Sequence, residues 1–183
     1  MSDAAKKTAA TPGLGTTLAS IVNGCFGDYL SQRDNGLAID MAFYRNNRPL
    51  PLTPETLREA FPAPTSKLCV LVHGLCCHEG AWDYPDNPAR SYGSALQDDL
   101  GYTPFFLRYN TGLPIPYNGT ALDALLEKLL AAYPLDVEEL VLVGHSMGGL
   151  VLRGACHFGA ERGATWVGKV KRVFYIGTPH EGA

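Results

Sequence analysis

The sequence predicts a doubly wound α/β fold, with a mostly parallel sheet and helices on both faces. Two observations carry this prediction. First, four short apolar runs lack polar alternation, which is typical of strands buried on both faces. Second, helical patterns separate these runs, and strands that alternate with helices form parallel sheets. The four runs lie at residues 68–72, 105–107, 140–143 and 173–176.

The composition indicates a folded chain with a sizeable core. The chain has 183 residues, of which 46% are hydrophobic and 18% are charged, below the average of about 25% for globular proteins. A net charge of −3 and a pI near 5.9 provide no basic surface for nucleic acid or an anionic membrane. We therefore expect neither as a partner.

Cysteine usage and hydropathy bear on location. The five cysteines are odd in number, and they include an adjacent pair but no Cys-x-x-Cys, which argues against a disulfide scaffold. No apolar segment approaches the roughly 20 residues of a membrane-spanning helix, and residues 1–10 lack the apolar part of a secretory signal. We expect a cytoplasmic protein without a transmembrane segment.

The first part of the chain is the least regular. Residues 1–12 are predicted as a flexible tail, and residues 13–183 as one domain, in which 13–65 form a variable extension of the core at 66–183. Thr11-Pro12 is typical of a helix start. The following apolar residues predict a helix to Tyr29 that covers the core; a membrane-surface helix is the alternative, although its polar face lacks Lys and Arg. A short strand is expected at 38–44 and a short helix at 54–61.

Three further helices are predicted between the apolar runs. Asn87-Pro88 is expected to start the first, and Leu122 belongs to a second that must end before Pro134. The third follows residue 143 and is expected to end at Gly159. The loop at 110–119 follows a strand, at the sheet edge where open α/β sheets bind ligands.

The segment Gly144-His145-Ser146-Met147-Gly148 lies directly after a buried run and before a helix. It fits Gly-x-Ser-x-Gly, a turn that projects a nucleophilic serine above the sheet. Gly144 and Gly148 allow the backbones to pack closely, and the helix N-terminus favours a developing negative charge. Ser146 is therefore the candidate nucleophile; a purely structural serine is the alternative. Neither a Gly-x-Gly-x-x-Gly nor a phosphate-binding Gly-Lys-Ser/Thr loop is present here.

A second element, His73-Gly74-Leu75, follows the first buried run. In enzymes with a serine elbow, a backbone N–H of this loop joins the N–H of the residue after the serine to form the oxyanion hole, the pair of donors that stabilises negative charge on the substrate oxygen. The N–H groups of Leu75 and Met147 are the candidates, with His73 and Gly74 as support. The alternative is an ordinary tight turn.

These motifs resemble those of a known family. His73-Gly74-Leu75-Cys76, Leu-Arg-Tyr-Asn-Thr-Gly at 107–112, the serine elbow and Gly-Thr-Pro-His-Glu-Gly-Ala at 177–183 together resemble bacterial α/β-hydrolases. The resemblance is to esterase/lipase-type members related to GPI-inositol deacylases, and it covers residue 66 to the end. It implies the α/β-hydrolase fold and hydrolysis of an acyl ester by a Ser-His-Asp triad, through an acyl-enzyme and without a cofactor.

The rest of the triad departs from this pattern. In the family the acid and histidine follow the serine after further strands, whereas this chain ends just beyond the sixth strand of about eight. Downstream of Ser146 the sequence offers Glu161, Glu181, His157 and His180. His180 is the candidate base within the chain, although in the family the Thr-Pro-His position shapes the site. We expect a fragment whose C-terminal strands, acid and histidine lie outside it, and which leaves residues 173–176 as an apolar edge.

Other chemistry is less well supported. His73, Cys76, Cys77 and His78 suggest zinc, but their spacing matches no usual ligand pattern, so no metal is predicted. Trp82, Tyr84 and Tyr117 are candidates to line an acyl pocket. The sequence thus predicts a serine hydrolase for small-molecule or lipid esters. An acyltransferase or an inactive binding module of the same fold are the alternatives, and no oligomeric state is indicated.

Overall fold

A computed structural model describes residues 39–182, together with Gly15, Leu18, Ser20 and Ile21, which lie in a helix. The expected tail at 1–12, and the expected helix over 11–29 apart from these four residues, lie outside the described part. The division at residue 65 between an extension and a core stays a prediction.

Eight strands and four α-helices lie within residues 39–182. The strands are β1 (Ala42–Arg45), β2 (Arg48–Pro49), β3 (Lys67–Val72), β4 (Asp83–Tyr84), β5 (Asn87–Ser91), β6 (Thr103–Arg108), β7 (Glu139–His145) and β8 (Val170–Ile176). The helices are α1 (Pro54–Ala60), α2 (Tyr92–Leu100), α3 (Ile115–Ala132) and α4 (Met147–Glu161). Two 3₁₀ turns lie at Glu79–Trp82 and Thr165–Lys169.

A six-stranded sheet in the order β2-β1-β6-β3-β7-β8 forms the centre. Strands β6, β3, β7 and β8 run parallel, whereas β1 pairs antiparallel with β6 and β2 antiparallel with β1. The four predicted apolar runs all lie in the parallel strands. The predicted α/β architecture with a mostly parallel sheet is therefore confirmed.

Helices cover both faces of this sheet, and the sheet separates the core into two clusters. The larger cluster joins the sheet to α3 and α4 through Leu126, Leu142 and Leu152. The smaller one lies on the opposite face, where Leu96 of α2 packs near Leu71. In the part of the chain that the structure describes, no helix is long and apolar enough to cross a membrane.

Strand β8 is an edge strand of the described sheet. Phe174, Tyr175 and Ile176 are 49%, 41% and 48% exposed. Consecutive side chains of a strand point to opposite faces, so β8 presents apolar groups on both faces. This exposed apolar edge is the arrangement expected for residues 173–176.

The predicted start of α2 is wrong. Asn87 and Pro88 lie in β5, which pairs with β4, and the helix begins after Ser91. The Ser91 hydroxyl accepts from the N–H of Ser94, whose hydroxyl accepts from the N–H of Ser91. This reciprocal capping box fixes the helix start more strongly than the proline does. The first strand also differs slightly: it ends at Arg45, where Asn46 and Asn47 adopt positive φ in a two-residue turn.

Two other helix boundaries differ from expectation. Helix α3 begins at Ile115, so the loop predicted over 110–119 is shorter. Gly159 lies within α4 and does not end it, because the helix continues to Glu161. A Cβ on Gly159 would lie 2.8 Å from the ring of Trp166. Gly159 therefore serves the packing of Trp166 and not the capping of the helix.

Candidate active site

Ser146 occupies the sharp turn between β7 and α4. Its φ and ψ are 52° and −126°, and positive φ is uncommon for a residue with a side chain. The N–H of Ser146 donates to the carbonyl of Ile176 at 2.8 Å, which ties the turn to β8. The side chain is half-buried. Ser146 thus sits at the carboxyl ends of the parallel strands, in the strained conformation that often marks functional residues.

Glycines allow the backbone to form this turn without steric clashes. A Cβ on Gly144 would lie 2.6 Å from the Cα of Gly149, and a Cβ on Gly148 would lie 2.3 Å from the carbonyl oxygen of Val72. Both distances are shorter than a real Cβ contact, and the neighbouring atoms belong to the backbone. The two glycines of the motif therefore let the start of α4 pack directly on β7 and β3.

The loop after β3 reaches this turn. A Cβ on Gly74 would lie 3.0 Å from the Cβ of Ser146 and 3.3 Å from Nδ1 of His145. The carbonyl of Gly74 accepts from the N–H of Cys77 at 3.3 Å, which closes the loop into a turn. The backbone of residue 74 thus lies in contact with Ser146.

Two amide groups flank this contact. Leu75 follows Gly74, and Met147 follows Ser146 as the first residue of α4. Within residues 39–182, neither N–H donates a hydrogen bond in the turns, loops or helix caps. The first N–H groups of a helix lack intrahelical acceptors and attract negative charge. The two segments that hold the predicted oxyanion donors are thus adjacent in space.

His73 is fully buried beneath this loop. Its Nδ1 lies 3.0 Å from the carbonyl oxygen of Gly74, and a carbonyl can only accept, so Nδ1 carries the proton. The imidazole stacks on Tyr109, with ring centroids 4.7 Å apart. Burial lowers the pKa of His73 to about 4, with the Gly74 hydrogen bond opposing the shift. His73 is therefore neutral near pH 7 and supports the loop through its ring and its N–H.

His180 and His157 contact residues other than Ser146. His180 is exposed; its Nδ1 lies 3.4 Å from Nη1 of Arg153, and its ring meets Tyr175 edge-on. His157 lies on the surface, 3.7 Å from the carboxylate of Glu161. All five histidines of the chain belong to the described residues, and none hydrogen-bonds to Ser146. The structure thus brings together the predicted nucleophile and oxyanion segments, and leaves the candidate base His180 on the outer side of α4.

An apolar cavity opens beside the turn. Its volume is about 350 Å³, and it is lined by Cys77, Ala81, Trp82, Tyr92, His145 and Ile176. Of the aromatic residues predicted to line an acyl pocket, Trp82 does so, and Tyr84 packs edge-on against Tyr92. Tyr117 lines a separate, smaller cavity. Ile176 and Tyr92 were not predicted here, because only the chain's path brings them beside residue 145.

Metal ligands do not cluster in the described part of the chain. No group of three or more His, Cys, Asp or Glu side chains there could hold an ion. His73 and His78 are instead occupied by local contacts: His73 bonds to Gly74, and Nδ1 of His78 accepts from the N–H of Gly80 at 3.0 Å.

Comparison with known proteins yields one family. The model described as "Alpha/beta hydrolase family" matches residues 69–180, more than half of the chain. No curated protein and no solved structure matches. The matched range includes both the loop at His73 and the turn at Ser146.

Proposed function

The chain belongs to the alpha/beta hydrolase family, and we propose that it cleaves carboxylic esters through an acyl-enzyme at Ser146. One observation supports this proposal: Gly74 lies against Ser146, which brings together the two segments that carry Leu75 and Met147. A serine in a strained turn, with two N–H groups beside it that make no turn, loop or cap hydrogen bond within residues 39–182, suits acyl transfer.

The reaction follows from this geometry. The hydroxyl oxygen of Ser146 attacks the ester carbonyl carbon and gives up its proton to a base. The carbonyl oxygen becomes negatively charged and accepts hydrogen bonds from Leu75 and Met147. Collapse of this intermediate expels the alcohol, which takes the proton, and leaves an acyl-serine. Water then attacks the acyl-serine by the same steps, releases the carboxylic acid and restores Ser146.

The proposal assigns the base and the acid to sequence beyond these 183 residues. A serine without a base is a weak nucleophile near neutral pH, and no histidine of the chain hydrogen-bonds to Ser146. The apolar side chains of β8 on both faces support a sheet that continues past this strand, since parallel strands are normally buried. His180 remains the candidate base within the chain.

The finer assignments belong to the same proposal. The substrate is a small-molecule or lipid ester, consistent with the apolar cavity beside His145. The proposed relatives are bacterial esterase/lipase-type enzymes related to GPI-inositol deacylases, and the proposed location is the cytoplasm.

Hydrolysis of p-nitrophenyl butyrate by the protein from its complete natural gene tests the proposal. We expect turnover that Ser146→Ala abolishes and that Ser66→Ala, a change at a half-buried serine before β3, leaves intact. Loss of turnover in His180→Gln would identify His180 as the base. Absence of turnover on a panel of esters, by a folded protein, would favour an inactive binding module. Acyl transfer to an added alcohol in preference to water would favour an acyltransferase.

A further inference from the structure

The stretch at 107–112, at the end of β6, has no role in the reaction described above. Yet three side chains from four consecutive residues, Arg108, Tyr109 and Thr111, contact the loop that carries the oxyanion donor Leu75. Each contacts a different point of that loop, which we define as residues 73–79.

Tyr109 holds the start of the loop. The side chain is 1% exposed, and its hydroxyl donates to the carbonyl oxygen of His73 at 2.8 Å. Its ring also stacks on the imidazole of His73, which in turn donates to the carbonyl of Gly74. Tyr109 therefore fixes the first carbonyl of the loop and the ring that orients the following peptide group.

Thr111 holds the loop on the other side of Leu75. Its side chain is buried, and its hydroxyl oxygen accepts from the N–H of Cys76 at 3.2 Å. Cys76 has a φ of 58°, a left-handed conformation that costs energy for a residue with a Cβ. The hydrogen bond to Thr111 helps to compensate for that cost. One segment thus holds the peptide between His73 and Gly74, through Tyr109, and the peptide between Leu75 and Cys76, through Thr111.

Arg108 holds the far end of the loop. Its guanidinium makes a two-point ion pair with the carboxylate of Glu79, one contact being 2.6 Å between Nε and Oε2. Both side chains are nearly buried, at 10% and 12% exposure. Paired N–H groups of arginine fix a carboxylate in direction as well as distance. Arg108 therefore anchors Glu79, the last residue of the loop.

The supporting segment is itself held in place. The buried side-chain amide of Asn118, in α3, donates to the carbonyl of Asn110 at 3.0 Å. The side-chain oxygen of Asn110 accepts from the N–H of Gly112 at 3.0 Å. The segment therefore connects the loop to a long core helix.

We propose that Tyr109 and Thr111 are positioning residues that set the Leu75 N–H against Ser146, with Arg108 anchoring the end of the loop. This inference rests on the proposed function. The two hydroxyls hold the peptide between residues 73 and 74 and the peptide between residues 75 and 76, and they do not touch the substrate. Neither side chain lines the cavity beside His145, so their loss should displace the oxyanion donor more than it alters substrate binding.

Paired substitutions test the inference on the protein from its complete natural gene, with p-nitrophenyl butyrate as substrate. Thr111→Val keeps the side-chain shape without the acceptor, and Thr111→Ser keeps the acceptor. Tyr109→Phe removes one hydroxyl, and Tyr133→Phe is its matched control. Tyr133 is also buried, and its hydroxyl donates to the carbonyl of Thr65 at 3.0 Å. Thr65 lies just before β3, at the end of the strand opposite to the loop.

Loss of an oxyanion donor costs about 100- to 1000-fold in rate, so a displaced donor should cost less. We expect Thr111→Val and Tyr109→Phe to lower kcat by about 10- to 100-fold with KM within about threefold. Thr111→Ser and Tyr133→Phe should stay within about threefold of wild type in both constants. Hydrogen–deuterium exchange of peptides covering 73–79 should rise in Thr111→Val and Tyr109→Phe only.

The outcomes separate the two proposals. Wild-type kcat in Thr111→Val and Tyr109→Phe, when Ser146→Ala is inactive, overturns the positioning role and leaves the proposed function standing. Equal losses in Thr111→Ser and Thr111→Val also overturn it, because the acceptor would then not matter. No Ser146-dependent turnover in the wild type overturns both. If Tyr109→Phe does not fold, the Thr111 pair decides.

Discussion

Gly74 and Ser146 touch: a single added carbon on Gly74 would lie 3.0 Å from the Cβ of the serine. These residues are far apart in sequence, at the ends of two neighbouring parallel strands, β3 and β7. Their contact brings the loop that carries Leu75 beside the helix start that carries Met147. The account of function depends on this arrangement.

Gly74→Ala should therefore impair catalysis more than folding. The added methyl group meets Ser146 and the imidazole of His145, 3.3 Å away, so the loop and the serine must separate by a few tenths of an ångström. We expect kcat to fall by about 100-fold with a small change in unfolding free energy. Gly168→Ala, where nothing lies within 4 Å, is the control. Wild-type kcat in Gly74→Ala would show that the contact is not needed.

Gly148→Ala should instead destabilise the fold. Its methyl group would lie 2.3 Å and 2.4 Å from the carbonyl oxygens of Val72 and His73, and backbone atoms of a central strand cannot move aside. We expect a loss of about 3 kcal/mol in unfolding free energy, measured by urea denaturation. Gly154→Ala in the same helix meets only an ordinary contact at 3.5 Å and should be neutral or stabilising by up to about 1 kcal/mol. Equal effects of the two changes would contradict this packing.

Much of the fold could be predicted from the sequence, because the apolar runs are local signals. Four uninterrupted runs suffice to indicate buried parallel strands, and all four lie in β3, β6, β7 and β8. Helix boundaries were harder to predict from the sequence. The start of α2 depends on Ser91 and Ser94 capping each other, whereas Asn87-Pro88 carries an equally good helix-start signal. The role of Gly159 depends on Trp166, which only tertiary structure brings beside it.

The sequence likewise predicts only part of the candidate site. The turn at Ser146 and the loop at His73 have their own short motifs, so the sequence indicated both. Tyr109, Thr111 and Glu79 could not be assigned roles, because their partners are backbone atoms or side chains at least 29 residues away. The sequence indicates a role for the segment at 107–112 only through its resemblance to a family motif. Its contacts depend on β6 and β3 being neighbours, which no local pattern specifies.

The buried His73 should make stability depend on pH. Its pKa is lowered to about 4 by burial, from 6.5, so the unfolded chain binds a proton that the folded chain does not. Stability from this group is complete above about pH 6.5 and falls as pH drops towards 4, by about 3 kcal/mol. His73→Asn, whose amide can still donate to Gly74, should reduce this slope in urea denaturation at pH 7, 6, 5 and 4. Burial also lowers the pKa of His78, so part of the slope should remain. An unchanged slope in His73→Asn would refute the prediction.

Asp123 should be the main ionic contribution to stability in the larger core cluster. Its buried carboxylate accepts from Arg162 at 2.6 and 2.8 Å and from the indole N–H of Trp166 at 2.8 Å. Asp123→Asn leaves these donors poorly matched and should cost about 3 kcal/mol, measured by urea denaturation. Arg172→Gln, which breaks an exposed ion pair with Glu139, should cost less than about 1 kcal/mol.

The same carboxylate should contribute to acid denaturation. Burial alone would raise the pKa of Asp123, but hydrogen bonds from Arg162 and Trp166 and the charge of Arg162 lower it overall. The contribution is therefore present above the carboxyl's usual pKa and is lost as pH falls through the lowered value. A similar midpoint for wild type and Asp123→Asn in urea at neutral pH would contradict the role of this network.

Covalent labelling of Ser146 tests the central claim most directly. The protein from its complete natural gene is treated with a fluorophosphonate, digested and analysed by tandem mass spectrometry. We predict one phosphonylated residue, Ser146, with labelling abolished by Ser146→Ala and by prior heat denaturation. A folded protein that hydrolyses esters while Ser146 remains unlabelled, or that carries the label on another serine, would contradict the account.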